Sequence, residues 1–150
     1  LAGWNPPGFF RHGMRRRRLT GNVDLFGLCC RVVELFSRFT LESARRLPRL
    51  APDHPCARLH GHSFQIELRV AGPLDPDLGW IIDFADIQAA WRPVHAALDH
   101  RCLNDVPGLE NPTSEHLARW LWQRLKPVLP GLSQVQVMET AQSGCIYRGE

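Results

Sequence analysis

Residues 56–71, with the sequence CARLHGHSFQIELRVA, indicate the fold class of this chain. Apolar and polar residues alternate over residues 63–71, which predicts a strand with one buried face. In an extended backbone His60 and His62 point the same way, so their imidazoles are able to share a metal ion. A turn would bring the Cys56 thiol beside such a metal. On this spacing alone, two histidines decorating a strand edge over a structural thiol are the commoner arrangement.

The remaining pattern predicts three more strands and two helices. Alternation predicts a first strand from residue 31, and two short strands at residues 135–140 and about 145–147. Between them, helical apolar stripes follow the capping residues Asp83 and Thr113. This order lacks βαβ alternation, so it predicts an α+β domain with a four-stranded antiparallel sheet and both helices on one face. The open sheet edges need cover, and joining sheets into a barrel would supply it.

The length and composition indicate one globular domain behind a different N-terminal segment. The chain has 150 residues, 44% of them hydrophobic, which suffices for a single core. Residues 1–30 show neither strand nor helix periodicity. We interpret them as a disordered or non-native extension and assign residues 31–150 to the folded domain.

The positive charge is concentrated in that N-terminal segment. The formal net charge is +3, but Arg11 and residues 15–18 supply five positive charges before the first acidic residue, Asp24. From Asp24 onward the chain has 13 basic and 15 acidic residues. The domain therefore offers no general basic surface for nucleic acid, and an RNA-binding arm at residues 1–30 is the only such alternative.

The cysteine pattern and hydropathy favour a cytoplasmic protein. The five cysteines have no repeating spacing and include no Cys-x-x-Cys pair, which argues against a disulfide framework. No apolar run approaches the roughly 20 residues that cross a bilayer. We therefore expect a reducing compartment and no membrane partner.

Six short motifs, taken in order, resemble the family of 6-pyruvoyl-tetrahydropterin synthases. The resemblance covers nearly the whole folded part, and the three residues between Cys56 and His60 are similar to the spacing of the 6-carboxy-5,6,7,8-tetrahydropterin synthase branch. The motifs are residues 56–62 (CARLHGH), 79–84 (GWIIDF), 98–104 (LDHRCLN), 111–115 (NPTSE), 139–140 (ET) and 144–150 (GCIYRGE).

The resemblance implies the tunnelling fold, in which trimers close a barrel from their sheets and two trimers stack into a hexamer with active sites between subunits. It implies 7,8-dihydroneopterin triphosphate as substrate, and a lyase reaction that releases triphosphate and acetaldehyde. The product would be 6-carboxytetrahydropterin, a precursor in queuosine biosynthesis. One Zn²⁺ per subunit is also implied, with His60 and His62 as two of its ligands.

The resemblance also implies roles for individual residues. Cys56 would abstract a side-chain proton, and Asp99 with His100 would form the second proton-transferring group. Glu139 would accept paired hydrogen bonds from the amino group and a ring nitrogen of the pterin. Thr113 is a minor candidate for substrate contact, since helix capping already explains it. Without the family context, a structural thiol, a capping Asp-His pair and an exposed strand-end charge are the alternatives.

Position 45 departs from the family pattern. The third histidine ligand of the family lies in Ala-Ala-His-Arg-Leu, whereas residues 43–47 here are SARRL, with Arg45 at the ligand position. A guanidinium has no lone pair for a metal, and its charge repels one. Three outcomes are open: His54 or Cys56 substitutes, zinc binds weakly to two histidines, or the metal is lost and Arg45 faces the triphosphate.

We therefore expect reduced zinc content and low turnover, because catalytic zinc usually keeps three protein ligands. Within the fold, 6-pyruvoyl-tetrahydropterin synthase activity is the nearest alternative. A catalytically silent pterin-binding oligomer is the alternative from a different functional class.

Overall fold

The computed structural model of the protein describes residues 33–149. The predicted N-terminal extension, with its proposed RNA-binding arm, lies outside the described residues, as do residues 31, 32 and 150 of the predicted 31–150 domain. The elements are β1 (Val33–Arg45), β2 (His60–Gly72), α1 (Phe84–Leu98), β3 (Arg101–Cys102), α2 (Ser114–Leu125), β4 (Leu132–Met138) and β5 (Gly144–Tyr147), with 3₁₀ turns at Pro55–Ala57 and Leu103–Asp105.

The strands form one sheet in the order β3-β1-β2-β4-β5. All neighbouring pairs are antiparallel except β3, which runs parallel to β1 beside Ser43 and Ala44. The α+β class is confirmed, but the prediction of four strands is wrong because β3 adds a fifth. A strand of two residues is too short to show an alternating pattern, and its pairing with β1 is set by the tertiary fold.

The β2 strand begins earlier than its apolar alternation predicted. It starts at His60, so the two histidines lie inside the paired strand and not in the loop before it. The same face continues inward through Phe64, Ile66 and Leu68, none of which has any exposed surface. Burying each of these side chains stabilises the fold by about 1.5–3 kcal/mol. The histidine pair is therefore held on a rigid element next to the core.

The two helices begin at the predicted caps. The Asp83 carboxylate accepts a hydrogen bond from the backbone N–H of Ala85 at 2.8 Å, and the Thr113 hydroxyl accepts one from His116 at 3.3 Å. Each helix buries an apolar stripe in the single core, which fixes its position against the sheet. These stripes are Ile87, Trp91, Val94 and Leu98 in α1, and Leu117, Leu121 and Leu125 in α2.

No helix in the described part of the chain is both long and apolar enough to cross a membrane.

Candidate active site

The pairing of β1 with β2 places position 45 beside the histidine pair. Arg45 is the cross-strand partner of His60, and Ser43 is the partner of His62. The two imidazole rings meet edge to face with their centroids 4.9 Å apart. The β register therefore brings His60, His62 and the residue at position 45 together.

Arg45 is a buried cation with three hydrogen-bond partners. Its side chain is 2% exposed and lies over the Phe64 ring, 5.2 Å from the centroid. One terminal nitrogen donates to the Pro112 carbonyl at 2.9 Å, while the other lies 2.7 Å from Glu139 Oε1 and 3.2 Å from His62 Nε2. Its Nε is buried without a partner among the described residues. A buried charge is tolerated when it is paired, and Glu139 supplies that pairing.

Glu139 follows β4 directly and is held as a carboxylate. Burial raises the pKa of Glu139, but hydrogen bonds from Ser114 and Arg45, together with the Arg45 charge, outweigh burial and leave the pKa below its usual value. Both donors converge on Oε1. Oε2 lies 4.0 Å from His62 Nε2, so it is the oxygen with capacity for a ligand.

His62 accepts a hydrogen bond from Arg45. Because a guanidinium can only donate, the 3.2 Å contact engages the Nε2 lone pair of His62. Burial and the nearby Arg45 charge lower the pKa of His62, against the opposing effect of Glu139. The imidazole is therefore neutral, with its Nε2 lone pair directed at Arg45.

Unlike His62, His60 is bonded through Nδ1 and not through Nε2. Its Nδ1 lies 2.8 Å from the Arg58 carbonyl oxygen, which requires a proton on Nδ1 and leaves Nε2 as an acceptor in the neutral ring. That Nε2 is buried and has no partner among the described residues. His60 thus offers the free lone pair that His62 lacks.

These donors do not fit a family-type zinc site. Of the three ligand positions, one is a guanidinium, one has its lone pair engaged by that guanidinium, and only His60 has a free nitrogen. The substitute ligand His54 accepts a hydrogen bond from the Cys56 N–H at 3.1 Å, capping its own turn. Within residues 33–149, no cluster of three His, Cys, Asp or Glu side chains is placed to hold a metal ion.

The predicted base Cys56 lies in the 3₁₀ turn before β2. Its partly buried thiol borders an open cleft of about 520 Å³, which His60 also lines. A second open cleft of about 530 Å³ is lined by His62 and His100 among others. His60 therefore borders the first cleft together with the predicted base Cys56, and His62 borders the second together with His100.

Asp99 and His100 form a pair at the end of α1. His100 Nδ1 lies 2.7 Å from Asp99 Oδ2, and the Glu42 N–H donates to Oδ1 at 3.1 Å. The hydrogen bond from His100, followed by that from Glu42, lowers the pKa of Asp99. His100 has a left-handed φ of 54° and its side chain is 79% exposed. The pair thus presents an oriented imidazole to the cleft.

Ser114 is a site residue that the sequence reasoning missed. Its buried hydroxyl donates to Glu139, while the neighbouring Thr113, named as a minor candidate, caps α2. The NPTSE motif of residues 111–115 was a usable signal. Thr113 already caps α2, so the hydroxyl of Ser114 is not needed as a cap and is available for another contact. The Pro112 carbonyl bonded to Arg45 was not predictable from residue type.

Comparison with known proteins agrees with the resemblance found in the sequence. The family model of 6-pyruvoyl tetrahydropterin synthase matches residues 34–150. A 6-carboxy-5,6,7,8-tetrahydropterin synthase of Synechocystis is 39% identical over 119 residues, covering 75% of this chain and 91% of the relative. The enzyme of the same description from Bacillus subtilis is 30% identical, covering 77% and 84%.

Solved structures agree with the fold. The structure of Caenorhabditis elegans 6-pyruvoyl tetrahydropterin synthase has a TM-score of 0.73 at 24% identity, covering 79% of this chain and 96% of that one. The likeness to this structure shows the shared α+β fold. The sequence matches confirm the resemblance to the 6-carboxytetrahydropterin synthase branch, and the chain belongs to the 6-pyruvoyl tetrahydropterin synthase family.

Proposed function

We propose that the chain is a pterin lyase that converts 7,8-dihydroneopterin triphosphate to 6-carboxy-5,6,7,8-tetrahydropterin, releasing acetaldehyde and triphosphate, in queuosine biosynthesis. The observation that supports it most is the Asp99–His100 pair, with Nδ1 and Oδ2 only 2.7 Å apart. A carboxylate at this distance fixes the imidazole tautomer and supports its charged form. The two relatives described as 6-carboxytetrahydropterin synthases favour this reaction among those of the family.

The proton transfers are assigned to two groups. Because Asp99 holds Nδ1 of His100, the exposed Nε2 is the atom that exchanges a proton with the substrate. Cys56, beside the other cleft, is the base for the side-chain proton. A general base and a separate acid-base pair suit a reaction in which protons leave one carbon and return to another.

We expect low turnover because one carboxylate oxygen of Glu139 is already occupied by hydrogen bonds within the protein. A pterin edge presents two parallel donors, but Oε1 of Glu139 already accepts from Arg45 and Ser114. A bound pterin could therefore donate to only one free oxygen of Glu139, Oε2, unless Arg45 moves. The buried guanidinium also lies at the metal-ligand position, so we propose less than one Zn²⁺ per subunit.

The proposal includes a cytoplasmic homohexamer of two stacked trimers. Among the described residues, β3 pairs with β1 only at Ser43 and Ala44, and the end of α1 bonds to the backbone of Glu42, so the outer edge of β1 over residues 33–41 is open in the single chain. An open edge of this length favours pairing with another subunit. No nucleic-acid or membrane partner is proposed for the folded domain.

A catalytically silent pterin-binding oligomer is the second candidate. The Arg45–Glu139 ion pair favours it, because the charge that would bind the pterin is neutralised inside the protein. In that case the site would retain the ligand and leave its side chain intact.

The test is incubation of the protein with 7,8-dihydroneopterin triphosphate and identification of products by mass spectrometry. Acetaldehyde with 6-carboxytetrahydropterin supports the proposal, whereas a product that keeps its three-carbon side chain indicates the pyruvoyl reaction. Binding without product indicates the silent oligomer.

Cys56→Ala and His100→Asn should abolish turnover. Cys145→Ala is the matched thiol control, since burial and Glu115 raise the pKa of Cys145 and it lies on β5.

A further inference from the structure

The buried guanidinium of Arg45 connects three separate parts of the fold. Its guanidinium contacts three different elements: the loop before α2 through Pro112, β2 through His62, and the end of β4 through Glu139. These are the elements that meet at the candidate site. A planar cation with several fixed donors is able to join them, whereas a point-like ammonium cannot reach all three acceptors.

The contact with His62 determines whether a metal can bind. A zinc ion needs the imidazole lone pair, and Arg45 already donates to that lone pair at 3.2 Å. Zinc would have to displace a guanidinium that is 2% exposed and ion-paired to Glu139 at 2.7 Å. Displacement would leave Glu139 without its cation and Arg45 without its acceptors, so the ion pair opposes metal entry.

We infer that Arg45 is a resident cation in place of a metal ligand: its guanidinium fixes the Glu139 carboxylate and occupies the His62 lone pair, so that the site binds a reduced pterin without zinc. Arg45 is a positioning residue in this arrangement, acting on the ligand through Glu139. The inference relies on the proposed function only for the class of ligand. Its metal part stands on the contacts of Arg45 alone.

The cation also changes the charge of the site. The charges of Arg45 and Glu139 cancel in the ion pair, whose nitrogen and oxygen are 2.7 Å apart, so the pair adds no net charge to the site. A dication held by three neutral histidines beside the same carboxylate would leave a net positive charge. The site therefore favours the uncharged pterin ring over its anionic side chain, and we expect similar affinity for dihydroneopterin with and without its triphosphate.

The experiment measures zinc and dihydroneopterin binding by calorimetry on the full chain, purified from zinc-supplemented medium. The wild type should contain no stoichiometric zinc, and EDTA should leave its affinity for 7,8-dihydroneopterin unchanged. Arg45→His should bind zinc at least about tenfold more tightly than the wild type. Arg45→Met should lose about tenfold or more in dihydroneopterin affinity, with partial rescue in Arg45→Lys.

Arg46→His is the matched control. It adds a histidine one residue further along, at an exposed position whose backbone pairs with Asn104, so it should not create a zinc site. Stoichiometric zinc in the wild type, removed by His62→Ala, would overturn the inference even if Arg45→His fails to fold. If Arg45→His gains zinc but no variant binds dihydroneopterin, the resident cation is supported and the pterin function is contradicted.

Discussion

At the residue scale, the account depends on the ion pair between Arg45 and Glu139. Removing one partner of such a pair leaves an unpaired buried charge, which costs more than the pair contributes. The Glu139 side chain is 29% exposed, so water compensates for part of that cost.

We predict that Glu139→Gln lowers the free energy of unfolding by about 2–3 kcal/mol, less than for a fully buried pair. Urea denaturation checks this value. Asp53→Asn, at an exposed loop position, is the control and should change stability by less than about 0.5 kcal/mol. Equal effects of the two variants would show that Glu139 does not pair with Arg45.

A second residue-scale prediction separates Ser114 from Thr113. Ser114→Ala removes a donor from Glu139, so it should raise the pKa of Glu139 and weaken dihydroneopterin binding. Thr113→Ala removes the α2 cap, so it should cost about 1 kcal/mol of stability with pterin affinity unchanged. Thermal unfolding and calorimetry measure both effects. The reverse pattern would assign substrate contact to Thr113 and refute the role of Ser114.

Single residues also show how far the sequence can be interpreted. The spacing of His60 and His62 suggested a shared metal, and the family resemblance added Glu139; the structure places these three residues near one another. The ion pair was not predicted, since nothing in the sequence pairs residue 45 with residue 139. The sequence left Arg45 facing the triphosphate as one outcome; the structure buries it against the protein.

At the element scale, the end of α1 orients Asp99 and His100, the proposed acid-base pair. The His100 N–H donates to the Glu42 carbonyl at 2.7 Å, and the Glu42 N–H donates back to Asp99, so β1 holds both residues. His100 has a positive φ, a conformation that costs a non-glycine residue roughly 1 kcal/mol or more and that often occurs at functional sites.

We predict that His100→Gly keeps or increases stability while abolishing turnover, since glycine adopts this φ without strain. Thermal unfolding and product assays measure the two effects. A clear loss of stability would mean that the imidazole contacts, and not the backbone, determine the conformation of this turn.

The lowered pKa of Asp99, at the end of α1, makes the stability of the protein depend on pH. A carboxyl whose pKa is lowered on folding stabilises the protein above its unfolded pKa, near 3.9, and this contribution is lost as the pH falls through the folded pKa. We predict that His100→Asn raises the pKa of Asp99 and shifts that loss toward higher pH. NMR titration of the Asp99 carboxyl measures this shift. An unchanged titration would show that the Glu42 amide and His95 lower the pKa of Asp99 without His100.

Elements differ in how well periodicity predicts them. The helices were found from caps and stripes because both signals are local. The start of β2 was missed, since its first residues are polar and their strand conformation comes from pairing with β1. The two-residue β3 depends wholly on that tertiary contact.

At the scale of the whole molecule, the proposed hexamer covers the open edge of β1. We predict that a chain of residues 31–150 sediments as the same hexamer as the full chain, with equal turnover. Sedimentation velocity of both chains measures the assembly. A smaller species, or lost turnover, would show that the N-terminal segment contributes to assembly or catalysis.

A cation of the protein itself, the Arg45 guanidinium, takes the place of a metal ligand in this fold. The decisive measurement is anomalous diffraction at the zinc edge from crystals of the wild type grown with zinc. We expect no anomalous peak at His60 and His62, with the Arg45 guanidinium beside Glu139. A zinc peak about 2.1 Å from both imidazole nitrogens, with Arg45 displaced, would contradict it.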